Sequence, residues 1–215
     1  MYGEWIYHQP AEKFWEGLPL GTGRIASMLY GDTDEIVLSA GEETLWSGCP
    51  YEPAPEKHGV RRQIYDALLH GRHGEAEALA LSLRGCPTMV QQYRSMGRLR
   101  IRTNCPTSRD VPGYVRTLDF MHGVARFACG GLRGAAFASY PRQLVCLRLE
   151  SDAEMDIDAL WETEQPVTGV TADAGAFAVT GGVNDAVFSG RTPYEKVLPS
   201  VLKWRFEAKA QAEGA

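Results

Sequence analysis

The chain has 215 residues, enough for one sizeable core or two small ones. Its net charge of −5 offers no basic footprint, which argues against nucleic acid as the main partner, and no apolar run reaches the length of a membrane span. The five cysteines are odd in number, widely spaced and without a CxxC, so they suggest neither a zinc site nor a disulfide framework; with no basic-then-apolar leader in view, a cytoplasmic address is the expectation and a secreted parent the alternative.

Residues 1–17 carry Trp5, Tyr7, Phe14 and Trp15 around Pro10. They read as an extended entry whose aromatics pack on the body of the fold. The other use for Trp5 and Trp15 is stacking on sugar, since aromatic faces suit the apolar faces of pyranose rings. Glycines at 21, 23, 31, 41 and 48 then bracket two apolar runs, residues 25–30 and 36–38. Each is too short for a globular helix and is bounded by turn residues, so each predicts a strand. Gly31-Asp32-Thr33-Asp34 supplies the reversal between them, with Asp placed to bond its own downstream backbone. A carboxylate-rich turn at Glu42 and Glu43 follows, then Thr44-Leu45-Trp46-Ser47-Gly48. Gly21-Thr22-Gly23-Arg24-Ile25-Ala26 spells a dinucleotide fingerprint. That motif needs a strand before it and a helix after it. Here Pro19 precedes, and no helical period follows before Gly31.

Residues 51–59 form a Pro-rich loop, after which the period changes. Val60, Ile64, Ala67 and Leu68 share one helical face, and Gly71 ends that helix. A second helix is predicted over 75–83, with Ala76, Leu79, Ala80 and Leu83 on one side and acidic residues in its first turn. The two make an insertion over about residues 60–85. From residue 98 the period is mostly two. Leu99 and Ile101 alternate with Arg98, Arg100 and Arg102, giving one buried and one wet face. Residues 123–139 predict a hairpin turning at Gly130-Gly131, and 143–150 a further strand. Met155, Ile157, Ala159 and Trp161 alternate with Asp156, Asp158 and Leu160; 176–180 is another short strand. Trp204, Phe206, Ala208 and Ala210 alternate with charged and polar neighbours. Many short strands with turn signals predict a mainly β protein, an antiparallel β-sandwich, as a single domain over 1–215.

Several groups invite a chemical reading. Asp32, Asp34, Glu35, Glu42 and Glu43 cluster near Trp46. As one half of a hydrolytic pair, Glu42 or Glu43 would be an acid with a raised pKa. The plainer and preferred reading is turn carboxylates that bind loop amides. His70 and His73 stand three apart, a metal half-site without an obvious third ligand, and their flanking glycines put them in a solvated turn. His8 and His122 have no identifiable Asp or Cys partner. Ser47, Ser139 and Ser189 lack a nucleophile elbow. The arginine stripe reads as a solvated strand face rather than an RNA platform. No metal and no organic cofactor are expected. An unpaired edge at residues 135–139 or at the C-terminal strand would allow a homodimer by strand addition.

One pattern is more specific. Trp15-x-x-x-Leu18-Pro19-Leu20-Gly21-x-Gly23-Arg24, an apolar strand, Gly31, then Glu43-Thr44-Leu45-Trp46-Ser47-Gly48 resembles the start of the N-terminal domain of glycoside hydrolase family 95. Three later blocks agree in order. Residues 62–85, with Gly71 and Glu75-Ala76-Glu77, resemble its helical insert, and Gln92-Tyr93-x-x-Met96-Gly97-x-Leu99 resembles its strand entry. Val115-Arg116-x-Leu118-Asp119, followed by Phe137-Ala138-Ser139-Tyr140-Pro141, resembles the paired strands after it. Gly41 stands where the family usually has Asn before its Glu-Asp-Thr-Leu-Trp. The resemblance implies a supersandwich-like domain, incomplete at its C-terminus, and a parent that hydrolyses α-L-fucosyl or α-L-galactosyl linkages with inversion. In that family the acid and base lie on a separate (α/α)6 barrel, so the resemblance makes the barrel this chain's partner and leaves the chain inactive alone. The loop of residues 43–50 is the preferred functional element. Trp46, Glu43, Thr44 and Trp15 are the residues expected to bind substrate or flank the cleft. The alternative is a freestanding carbohydrate-binding module with Trp5, Trp15 or Trp46 exposed as its platform.

Overall fold

The computed structural model describes residues 3–46, 56–83, 93–173, 176–182 and 203–209. They fall into two compact units, one carrying the strands and one, which begins at Trp46, carrying two helices. The strand unit opens with β1 (Glu4–Tyr7), a single 3-10 turn (Phe14–Glu16), β2 (Leu18–Gly21), β3 (Ile25–Gly31) and β4 (Glu35–Glu42). After the helical segment come β5 (Gly97–Thr103), β6 (Val115–Asp119), β7 (Val124–Cys129), β8 (Leu132–Ser139) and β9 (Leu144–Ser151). The series closes with β10 (Ile157–Glu162), β11 (Val167–Asp173), β12 (Ala176–Gly182) and β13 (Lys203–Lys209).

All the ladders are antiparallel. One five-stranded sheet runs β1-β6-β7-β8-β9, a second runs β10-β5-β4-β3-β2, and β11-β12-β13 form a third. The two larger sheets share a core and make the expected antiparallel sandwich. Leu18, Leu29, Ile36, Leu38 and Ile101 meet Leu118, Phe127, Leu132 and Ala136 across it. Period two decides which side chains go in: Leu99 and Ile101 of β5 face the core, and the arginines between them face out. Burying such rows contributes roughly 25 cal/mol per Å² of apolar surface removed from water.

The hairpins follow the turn chemistry. β3 and β4 reverse through residues 32–34, where the Asp32 carboxylate accepts the Thr33 amide at 2.7 Å. β7 and β8 reverse at Gly130 and Gly131, whose φ values of 56° and 90° favour glycine at both positions. Residues 8–17 strap one sheet to the other, from β1 to β2. Arg116 of β6, only 7% exposed, fastens the strap: its Nε donates to the Gln9 carbonyl (2.8 Å) and its Nη1 to the Glu16 carbonyl (2.7 Å). Its guanidinium lies 4.2 Å from the Tyr7 ring centroid.

Three sequence expectations are corrected. The entry aromatics are not packed away: Trp5, Tyr7, Phe14 and Trp15 are all exposed. The reason is position: β1 is an edge strand, so Trp5 and Tyr7 reach only the margin of the core, and Phe14 and Trp15 lie on the 3-10 turn, which buries none of its residues. Trp5 there meets Phe120 edge-on, with centroids 5.0 Å apart. Residues 135–139 are not an open edge, since β8 is paired on both sides, by β7 and β9. And β11 is a strand that the sequence reading missed; Val-Thr-Gly-Val-Thr-Ala-Asp has neither clean alternation nor an apolar run.

In the other unit, α1 (Val60–Leu69) buries Val60 and Ala67 and leaves Leu68 exposed. Gly71, at φ 72°, breaks the helix. α2 (His73–Leu81) begins two residues before Glu75 and buries Ala76. Arg72 ties the turn by pairing with Asp66 (2.6 Å) and Glu75 (3.2 Å). No helix among the described residues is long and apolar enough to cross a membrane.

Candidate functional site

Register gathers the chemistry-bearing turns at one end of the strand unit. Gly21 pairs Ala26, Ile25 pairs Glu42, Ala40 pairs Gly97 and Glu162 pairs Arg98, all at matching ends of their ladders. The β8–β9 turn joins them from the facing sheet, because the Thr22 hydroxyl donates to Gln143 Oε1 at 2.8 Å. Gln143 has φ 50°, the left-handed region, and its Nε2 donates to the Tyr140 carbonyl at 2.7 Å. Its side chain thus holds both neighbouring turns.

Glu42 is the centre of this end. Its Oε1 accepts from Arg24 Nε (2.9 Å), and its Oε2 accepts the Thr44 amide (2.9 Å) and the Thr44 hydroxyl. Burial pulls the Glu42 carboxyl up, but the bonds from Thr44 and Arg24 outweigh it and hold the group below the usual carboxylate range. Glu42 is therefore an ionised anchor at neutral pH, the opposite of a proton donor. This favours the plainer of the two sequence readings, a carboxylate that serves loop amides.

The backbone around it is tied as well. The Glu43 amide donates to the Arg24 carbonyl at 2.9 Å, and the buried Leu45 accepts the Arg94 amide at 2.7 Å. The chain leaving the sheet at Leu45 and the chain returning at Arg94 are thereby joined. The Tyr93 hydroxyl stands where a Cβ on Gly41 would be. That contact gives a physical reason for glycine in the slot that the resembled family fills with Asn. Burial pushes the Tyr93 phenol up.

The structure brings Glu43 and Thr44 together with Arg24 and Glu42. Thr44 spends its hydroxyl on Glu42. Trp46 is 42% exposed, so it is not locked in the sandwich core; residues 47–50 of the same loop lie outside the described residues. Trp15 is 74% exposed but sits elsewhere. It lies on the 3-10 turn before β2, at the end of the β2–β3 ladder away from Arg24, with Lys13 Nζ 5.5 Å from its ring centroid. Arg24, Tyr93 and Gln143 were not singled out from sequence. Arg24 and Tyr93 stood inside the quoted motifs; Gln143 gave no signal, because its partners come from a different sheet.

Other candidates resolve into structure. Asp32 accepts the amide and hydroxyl of Ser108 at 3.1 and 2.6 Å and so fastens a distant loop. The arginine stripe is not simply solvated. Arg98 and Arg100 pair with Glu162, and Arg100 and Arg102 with Glu35. His122 does have a carboxylate partner, Asp119, at 2.6 Å, and that bond holds the Asp119 carboxyl below its usual range. His70 turns to the Asp66 carbonyl at 2.8 Å. Among the described residues no three His, Cys, Asp or Glu side chains are grouped to hold a metal ion. Gly85-Cys86-Pro87 and Ser189 lie outside the described residues.

A family model described as glycosyl hydrolase family 65, N-terminal domain, matches residues 5–208. The chain belongs to this family. The domain is also similar to alpha-L-fucosidase 2 of Arabidopsis thaliana, 26% identical over 149 residues, covering 65% of this chain and 17% of the relative. A probable alpha-fucosidase A of Aspergillus niger is 26% identical over 153 residues, covering 64% of this chain and 18% of the relative. The domain thus spans less than a fifth of the length of the curated relatives it matches.

Proposed function

We propose that this domain is the non-catalytic sandwich of a glycosidase of the family-95 type, one that hydrolyses α-L-fucosyl or α-L-galactosyl linkages by inversion. The observation that carries the reading is the conjunction of the family match over residues 5–208 with relatives named as α-fucosidases. The site chemistry is compatible: Arg24 and Thr44 hold Glu42 ionised, which suits an anchor and not a proton donor, and the reading puts the acid and base on another domain, the catalytic barrel. In this reading the segment from Glu43 to Trp46 borders the cleft of the parent. The test is hydrolysis of an aryl α-L-fucoside by the full polypeptide that bears this domain, with the anomer of the released sugar read by proton NMR. Initial release of the inverted anomer supports the proposal; retention overturns the mechanism, and no fucoside or galactoside turnover overturns the substrate class. The 215-residue chain alone is expected to be inactive. Trp46→Ala is expected to raise KM more than it lowers kcat, since a bordering residue contributes binding without chemistry.

A second reading has its own support. Trp15 at 74% and Trp5 at 45% exposure are the platforms that a sugar-stacking module uses. Titrating the chain with fucosylated oligosaccharides while following tryptophan fluorescence tests it. A saturable change lost in Trp15→Ala favours sugar binding, and a flat titration removes the reading.

A further inference from the structure

β9 ends its sheet. β8 pairs with it along all eight residues, and among the described residues no strand pairs with its other side. β2 of the facing sheet lies across β7 and β8, so β9 overhangs the sandwich. The overhang leaves its core-facing row, Val145, Leu147 and Leu149, half-buried, and Leu144 on the other face is exposed. No proline interrupts the strand. A long edge with an apolar row and a free line of backbone donors and acceptors is a template for another strand.

The charges on this edge say which strand fits. Arg148 and Glu150 stand two apart on the outward face, exposed; in the single chain they pair with each other at 2.7 Å, and Glu150 also faces Arg133 of β8 at 3.8 Å. Bring two copies of β9 together antiparallel about a two-fold axis through Leu149. Arg148 of each copy then stands opposite Glu150 of the other, Leu149 meets Leu149, and Leu147 meets Ser151. Sliding two residues one way sets Arg148 against Arg148; sliding the other way sets Glu150 against Glu150. Opposite charges directly across a ladder stabilise it and like charges destabilise it. Opposite charges thus face each other in this one register, which overlaps residues 147–151 of the two copies, and a two-fold contact of this kind closes at two copies. We infer that β9 is a self-association edge, through which two copies of this chain join their sheets into one continuous ten-stranded sheet.

Sedimentation velocity on the chain, with variants checked for folding by circular dichroism, tests the inference. The expected result is a monomer–dimer equilibrium at micromolar concentration. Arg148→Glu places Glu opposite Glu twice per dimer and is expected to weaken association by about tenfold or more. Glu150→Arg does the same with arginines. The double variant R148E/E150R rebuilds the two cross-pairs with their signs exchanged and is expected to restore the dimer. A monomer at all concentrations overturns the inference. So does a dimer indifferent to the single charge reversals, a double variant no better than the single ones, or growth beyond two copies.

Discussion

Gly134 of β8 faces the core, and the ring of Phe127, its cross-strand partner, fills the space that a Cβ would take. Phe127 is only 6% exposed and packs against the facing sheet, so the ring has nowhere to go. A strand glycine replaced by alanine ordinarily gains from a stiffer unfolded chain. Here overpacking wins, and Gly134→Ala is expected to cost about 1–3 kcal/mol in urea unfolding. An unchanged midpoint would show that Phe127 yields. Ser27 is the opposite case. Its hydroxyl is buried in the inner face of β3 without a hydrogen-bond partner, beside Leu20. Ser27→Ala removes an orphan polar atom at nearly constant volume, so it is expected to leave stability unchanged or raise it by about 1 kcal/mol. Neither role was legible in the sequence. Gly134 lies inside the predicted hairpin of residues 123–139, and Ser27 inside the apolar run of residues 25–30; only the pairing partner gives each its meaning.

At the scale of the element, the outward face of β4, β5 and β10 carries a ladder of alternating charge. Arg100 is its middle rung, bonded to both Glu35 and Glu162, and its stem lies opposite the buried Val37. Burial raises the Glu35 carboxyl, but Arg100 and Arg102 outweigh it; Glu162 is lowered first by its bond to Arg98. Both carboxyls therefore titrate below their unfolded values. Their contribution to stability is present above about pH 4.5, the unfolded carboxyl value, and is lost as pH falls through the folded values. These groups are partly exposed, so solvent screens the effect. Glu35→Gln is expected to cost about 0.5–1 kcal/mol at neutral pH, less in molar salt. The double variant E35Q/E162Q is expected to flatten the acid limb of a plot of unfolding free energy against pH. An acid limb as steep as in the parent chain would mean that other carboxylates set it. The strands of this ladder were legible, because alternation marks β5 and turn residues bracket β4. The pairing was not. Glu35 and Arg100 are separated by sixty-five residues, and nothing in the local pattern gives the register that brings them together. The loop end shows the same limit: the Thr-Leu-Trp motif could be recognised, whereas Arg24 and Gln143 as its supports depend on contacts between turns.

At the scale of the whole sandwich, Arg116 joins what the sheets alone leave apart. β1 belongs to one sheet and β2 to the other, and the strap between them covers one margin of the core. Arg116 reaches this strap from β6, pointing inward in a row that also buries Leu118. It lines a cavity between the sheets together with Tyr114, Asp32 and apolar neighbours. Burial pushes the Tyr114 phenol well above its usual value, as expected where water is scarce. In such a place a guanidinium persists because two carbonyls accept from it and an aromatic face covers it. Lysine keeps the charge but has no planar fork, so it cannot serve Gln9, Glu16 and Tyr7 together. Arg116→Lys is therefore expected to cost roughly 2–4 kcal/mol, and Arg116→Ala a similar amount through lost bonds and packing. The decisive readout is local. Hydrogen exchange should quicken first in the strap and in β1, while the β3–β4 and β7–β8 hairpins keep their protection until global unfolding. Uniform loss of protection would instead make Arg116 an ordinary core residue whose removal weakens the sandwich everywhere at once.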